Sequence, residues 1–295
     1  MVSTTDVTTS RARVSAAEIA QKPRRCGDRV GFVPRIRVVA ISAIVALAIA
    51  GCSSAPEPAE TPAAAESAAA LEGTITVFAA ASLTGTFTEL AAQFEAAHPG
   101  TTVTLNFAGS ADLVTQITEG APADVFASAD LKNMTKITDA ALNESEPENF
   151  ATNVLEIATP PGNPGGVTDF ASLADPDLKV VVCAPEVPCG AAAATVETAT
   201  GVELTPVSEE SSVTDVLGKV VSGEADAGLV YVTDVAAAGD TVEGIEFDEA
   251  SEAVTTYPIV ALTGSDAPDV AAAFTAFVAG PDGQAVLAAA GFGKP

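Results

Sequence analysis

Residues 120–130 read Gly-Ala-Pro-Ala-Asp-Val-Phe-Ala-Ser-Ala-Asp, and residues 223–234 read Gly-Glu-Ala-Asp-Ala-Gly-Leu-Val-Tyr-Val-Thr-Asp. Each stretch leaves a turn, passes through Ala-Asp into a short apolar strand, and ends on a hydroxyl residue and an Asp at a helix start. The echo predicts equivalent strands in two similar lobes. Before the first copy, residues 74–80 read as a strand, and Phe87, Leu90, Ala91 and Phe94 share one helix face at i, i+3, i+4, i+7. That helix stops at His98-Pro99-Gly100. A strand over 101–107 follows, then a helix from about Ala111 with Leu113, Val114 and Ile117 inward, ending at Gly120. After a Pro/Gly-rich break at 159–166 the pattern restarts: strand 178–183, helix from Ala191, a short strand near Leu204, helix 213–221, strand 227–232.

A further strand over 254–262 reads as the return of the chain to the first lobe, closed by helices over 270–279 and 284–290. The expected fold class is therefore α/β, with two lobes, each a mostly parallel sheet flanked by helices. The expected division is 73–153 plus 254–295 for lobe 1 and 154–253 for lobe 2. A double crossover leaves a cleft between them, the usual place for a ligand.

Charge separates the chain into two parts. Of 13 Lys+Arg in 295 residues, eight lie before Cys52 (Arg11, Arg13, Lys22, Arg24, Arg25, Arg29, Arg35, Arg37). The remainder holds 36 of the 39 Asp+Glu, five Lys and no Arg. So acidic a surface is a poor partner for nucleic acid, which needs clustered Lys and Arg. The apolar run 38–50 is too short to span a bilayer as a helix, which takes roughly 20 residues, and fits a signal peptide. It closes on Ile49-Ala50-Gly51-Cys52, which resembles the bacterial lipobox. The resemblance implies a signal peptide over 1–51, a lipid on Cys52, and a location on the outer face of the cell membrane. Residues 52–72, rich in Ala, Pro and Glu, read as a semi-extended tether reaching at most roughly 60 Å.

Enzyme signatures are absent: the sequence has one His, no His-Glu-x-x-His, no Gly-x-Ser-x-Gly, no Walker loop and no Gly-x-Gly-x-x-Gly. Nor is there a convincing cage for a bare metal cation. Helix starts carry the positive signal, at Ser82, at Gly109-Ser110, at Pro188-Cys189-Gly190 and at Ser212-Val213. A helix N-terminus presents unpaired N–H groups and partial positive charge, so it receives an anion readily. Read alone, each Ser is an ordinary N-cap. Cys183 and Cys189 bracket a short loop and, outside the cytoplasm, are expected to form a disulfide.

Four segments, 76–83 (Thr-Val-Phe-Ala-Ala-Ala-Ser-Leu), 107–111 (Phe-Ala-Gly-Ser-Ala), 120–130 and 228–234, together resemble the periplasmic molybdate-binding proteins of ABC transporters. The resemblance covers 73–295. It implies a two-lobed class II periplasmic-binding-protein fold that closes on molybdate or tungstate and delivers it to an ABC permease, with no cofactor and no enzymatic activity. Carried over position by position, it implies ligands at Ser82 and Ser110 (hydroxyl and N–H), at Cys189 and Val213 (backbone N–H) and at Tyr231 (hydroxyl). Cys189 stands where the family more often has Ala, a change that a main-chain donor tolerates. The chain is expected to act as a monomer. Alternatives are another tetrahedral oxyanion (sulfate, thiosulfate or phosphate) and a secreted hydrolase using two carboxylates. The lack of Arg excludes a guanidinium clamp in either case.

Overall fold

A computed structural model describes residues 70–295. The leader, Cys52 and all but the last three residues of the expected tether lie outside the described residues.

The first sheet is built from β1 (Gly73–Ala80), β2 (Thr101–Ala108), β3 (Val125–Ala127), β4 (Glu148–Asn153) and β10 (Thr255–Ala261), in the order β2-β1-β3-β10-β4. The second uses β5 (Leu155–Thr159), β6 (Val180–Cys183), β7 (Ser208–Glu210), β8 (Ala227–Tyr231) and β9 (Glu243–Ile245), in the order β7-β6-β8-β5-β9. Both orders have the same form, and the two echoed segments supply the central strands β3 and β8. Their shared Ala-Asp has one structural reason. The Asp124 carboxylate accepts the Thr76 N–H at 2.6 Å, tying the start of β3 to β1. Asp226 accepts the Lys179 N–H at 2.8 Å, tying the start of β8 to β6.

Each sheet is mostly parallel, as expected, with four strands running one way and one reversed. β1 runs parallel to β2 and β3, and β6 runs parallel to β7 and β8, but β10 and β5 are antiparallel to both neighbours. The cause is the route of the chain. A strand fed by a helix enters its sheet at the end away from the other lobe. β5 instead arrives directly from β4 of the first sheet across residue 154, and β10 arrives from the second lobe through a 3-10 turn at Asp248–Ala253, and both enter at the facing end.

Helices α1 (Thr84–Ala97), α2 (Ser110–Thr118), α3 (Leu131–Asp139), α7 (Pro268–Ala279) and α8 (Pro281–Ala289) cover the first sheet; α4 (Pro188–Thr200), α5 (Val213–Val221) and α6 (Val232–Ala238) cover the second. The periodic face of α1 is buried as its spacing dictates, with Phe87, Leu90 and Phe94 at 0% exposure, and Phe94 packs edge-on to Phe274 at 5.3 Å between centroids. His98 caps the C-terminal end of α1 against the Phe94 ring. α4 begins three residues before the expected Ala191, because Pro188 takes the first helical position, where its fixed φ fits and no N–H is needed. The short strand lies at Ser208–Glu210, not at Leu204. Leu204 instead donates its N–H to the Glu197 carboxylate at 2.7 Å and packs half-buried on the second core.

Candidate functional site

In open α/β sheets ligands bind beyond the carboxyl ends of the strands. Here those ends face one another. The chain leaves β1 at Ala80 for a short 3-10 turn (Ala81–Leu83), leaves β2 at Ala108 for α2, leaves β6 at Cys183 for the loop into α4, leaves β7 for α5, and ends β8 on Tyr231. These exits line one small cavity of about 10 Å³, bounded by Ser82, Gly109, Ser110, Ala129, Cys189 and Tyr231 among others. Val213 lines it as well, so all five residues read from the sequence as ligands meet there. No carboxylate and no Lys lines the cavity. The paired-acid hydrolase alternative has no acid to use at this place. Among the described residues, no three His, Cys, Asp or Glu side chains cluster as a cation site.

The polar groups facing the cavity are donors. Tyr231 is 1% exposed, and its hydroxyl is the one buried side-chain polar atom among the described residues without a hydrogen-bond partner. An orphaned buried hydroxyl costs about 1–3 kcal/mol, so an acceptor is expected opposite it. Burial, then the neighbouring Tyr257 and Asp234, push its pKa well above the ordinary tyrosine value, so it keeps its proton to donate. Ser110 Oγ, 1% exposed, already accepts the Ala129 N–H at 3.0 Å, which leaves its own proton for the cavity. Ser82 Oγ lies 3.1 Å from the Tyr257 hydroxyl.

Helix starts supply the rest. In α4 the first intrahelical bond is Ala191 N–H to Val187 C=O, so Cys189 N–H in the first turn has no partner within the helix. In α5 the first is Val216 N–H to Ser212 C=O, and Ser212 Oγ caps Asp215 N–H, leaving Val213 N–H free of the ladder. The α4 start is held by two local devices. Cys183 and Cys189 form a disulfide, with Cα atoms 5.6 Å apart. Gly190 packs so closely on the Cys183 and Ala184 carbonyls that any Cβ there would overlap backbone.

The lobes touch around the cavity. Asn133, fully buried at the start of α3, donates from Nδ2 to the Glu186 carbonyl of the second lobe at 3.3 Å. Gly109 sits against the Ser211 carbonyl, with no room between them for a side chain. Beneath the cavity, Tyr231 N–H donates to the Asp234 carboxyl at 2.9 Å. Burial drives Asp234 up to about 7, and the Tyr231 N–H offsets only part of this.

Sequence reading missed Ala129, which lines the cavity, and Tyr257 and Asn153, which stand behind it. Tyr257 and Asn153 come from the strands that flank the crossovers, and no local motif marks them. The one available signal was that Tyr257 is the second of only two tyrosines in the chain.

Known proteins share this arrangement of elements. The molybdate-binding protein ModA of Mycobacterium tuberculosis (strain ATCC 25618 / H37Rv) is 46% identical over 255 residues, covering 86% of this chain and 96% of the relative. The solved periplasmic molybdate-binding protein of Azotobacter vinelandii superposes with a TM-score of 0.66 at 25% identity, covering 75% of this chain and 99% of that one. The sulfate-binding protein SubI of M. tuberculosis H37Rv superposes with a TM-score of 0.63 at 20% identity, covering 75% and 86%, a likeness of fold alone. The profile of a family of extracytoplasmic binding proteins, not enzymes, spans residues 75–293. The chain belongs to the bacterial extracellular solute-binding protein family.

Proposed function

We propose that the chain captures molybdate, or its congener tungstate, between its lobes and delivers it to a molybdate ABC permease. The observation that carries this reading is the unpartnered Tyr231 hydroxyl, buried in a cavity whose other polar groups are neutral donors. Ser82 and Ser110 would donate hydroxyl and N–H from the first lobe. Cys189 and Val213 would donate N–H, and Tyr231 its hydroxyl, from the second. A tetrahedral dianion accepts in all directions and needs no acceptor from the protein. Each hydrogen bond to a charged group is worth roughly 1.5–3 kcal/mol, so six or seven, less desolvation and closure, leave about −8 to −12 kcal/mol, micromolar to nanomolar. With no Arg after Cys52 and a strongly acidic body, steering is absent and affinity rests on slow release.

The mature chain in this proposal is a monomer, lipidated at Cys52 and held to the outer face of the membrane by its tether; lobe 1 comprises 73–153 and 254–295, and lobe 2 comprises 154–253. Calorimetric titration of the purified chain with molybdate, tungstate, sulfate and hydrogen phosphate tests the substrate. Tight 1:1 binding of molybdate with little heat from sulfate is expected. A preference for sulfate would keep the site and change the cargo.

A further inference from the structure

Tyr257 is fully buried in β10, touches Ser82 through its hydroxyl, and lies 6.1 Å, ring to ring, from Tyr231. Behind it stands Asn153, 4% exposed at the end of β4. Asn153 Oδ1 accepts the Val154 N–H at 3.0 Å, and Nδ2 donates to Thr233 Oγ1 at 2.8 Å and to the Tyr257 oxygen at 3.5 Å. The amide therefore presents its donor to Tyr257. Burial also holds the Tyr257 pKa far above the usual tyrosine value, so its proton is present. With the Asn153 donor on the Tyr257 oxygen, we assign the Tyr257 proton to the Ser82 oxygen, 3.1 Å away. The Ser82 proton then turns away from Tyr257, into the cavity. Ser110 reaches the same state by another route, because the Ala129 N–H occupies its oxygen.

We propose that Tyr257, oriented by Asn153, is a specificity-determining positioning residue that holds Ser82 as a donor, and so sets the site against oxyanions that carry a proton. The proposal rests on the reading of Ser82 as an anion ligand. An oxyanion bearing a proton needs an acceptor, and Ser82, with one lone pair taken by Tyr257 and its proton turned into the cavity, meets it with a donor instead. Without the Tyr257 hydroxyl, the Ser82 rotor is free to accept as readily as to donate.

The test uses the full chain and four forms: wild type, Tyr257→Phe, Ser82→Ala and the double variant, each titrated at pH 7.5 with molybdate and with hydrogen phosphate. Tyr257→Phe is expected to weaken molybdate about tenfold and to lower the molybdate-to-phosphate affinity ratio by at least that factor. In the Ser82→Ala background the same change is expected to move molybdate affinity less than twofold. Equal losses for both anions, or the same loss in both backgrounds, overturn the proposal, since a merely structural tyrosine would act in that way. A second reading does not depend on the cargo. The chain has two tyrosines, so tyrosine labelled with ¹³C at Cζ gives two NMR signals. Ser82→Ala is expected to shift the Tyr257 signal in the anion-free protein, and an unshifted signal refutes the relay even if molybdate proves not to be the ligand.

Discussion

Gly109→Ala should abolish tight anion binding without touching the anion. Gly109 has φ −60° and ψ 141°, a backbone open to any residue, so alanine introduces no local strain. Its methyl group, however, would overlap the Ser211 carbonyl oxygen and come within 3.2 Å of its carbon and 3.7 Å of Ser212 Cα, all backbone atoms of the facing lobe. Neither side has a flexible end to yield, so the lobes must part by about 1 Å to restore ordinary contact. Hydrogen bonds of 2.7–3.2 Å from one lobe would then stretch towards 4 Å and cease to act as bonds. Losing two of the three donors that Cys189, Val213 and Tyr231 supply costs about 3–6 kcal/mol, a weakening of roughly 10²- to 10⁴-fold. Calorimetry against molybdate reads the affinity, and thermal unfolding of the anion-free chain reads the fold, which should be unchanged. A dissociation constant within threefold of wild type would refute the reasoning, because the site would then work without closing as described.

Tyr231→Phe should weaken molybdate by roughly 10- to 100-fold while leaving the melting temperature of the anion-free chain equal or higher, since the hydroxyl has no protein partner to lose. A lower melting temperature with unchanged affinity would assign the hydroxyl a structural bond instead. Replacing Cys183 and Cys189 by Ser should cost about 2 kcal/mol of stability, from the short loop that the disulfide closes, measured by denaturant unfolding. An unchanged midpoint would show that the loop is held without it. Asp234 and Glu156 are both raised to about 7, Asp234 by burial and Glu156 by burial and then the Glu246 charge. The folded state therefore keeps protons that the unfolded chain releases near pH 4. The stability these two groups contribute should be full below that value, fall as pH rises to about 7, and then level off. Asp234→Asn, which keeps an acceptor for the Tyr231 N–H, should remove on the order of 3 kcal/mol of that fall. An unaltered slope would mean that the Asp234 carboxyl does not carry it.

How far the sequence was legible follows from the range of the forces involved. Helix faces such as Phe87, Leu90 and Phe94, and strands such as β3, are set by local periodicity, and they sit where that periodicity puts them. The echoed Ala-Asp was legible because the same bond, carboxylate to the neighbouring strand, is needed twice. Helix starts that present N–H groups were visible for the same local reason. The reversal of β5 and β10 was not, because it comes from the crossovers between the lobes rather than from anything in their own residues. Likewise β7 hides among polar residues, Ser208–Glu210, at the edge of its sheet, where no alternation reveals it. Tyr257 reaches Ser82 over 175 positions of chain and Asn153 reaches Tyr257 over 104, relations that only the folded state holds.

The most direct measurement is a crystal structure of the chain grown with molybdate, with diffraction collected on both sides of the molybdenum absorption edge. The account predicts one anomalous peak between the lobes, with its oxygens within 2.6–3.2 Å of the Ser82, Ser110 and Tyr231 hydroxyls and of the Cys189 and Val213 nitrogens. A peak elsewhere, or a cavity that stays without molybdenum while other anions fill it, would contradict the central claim.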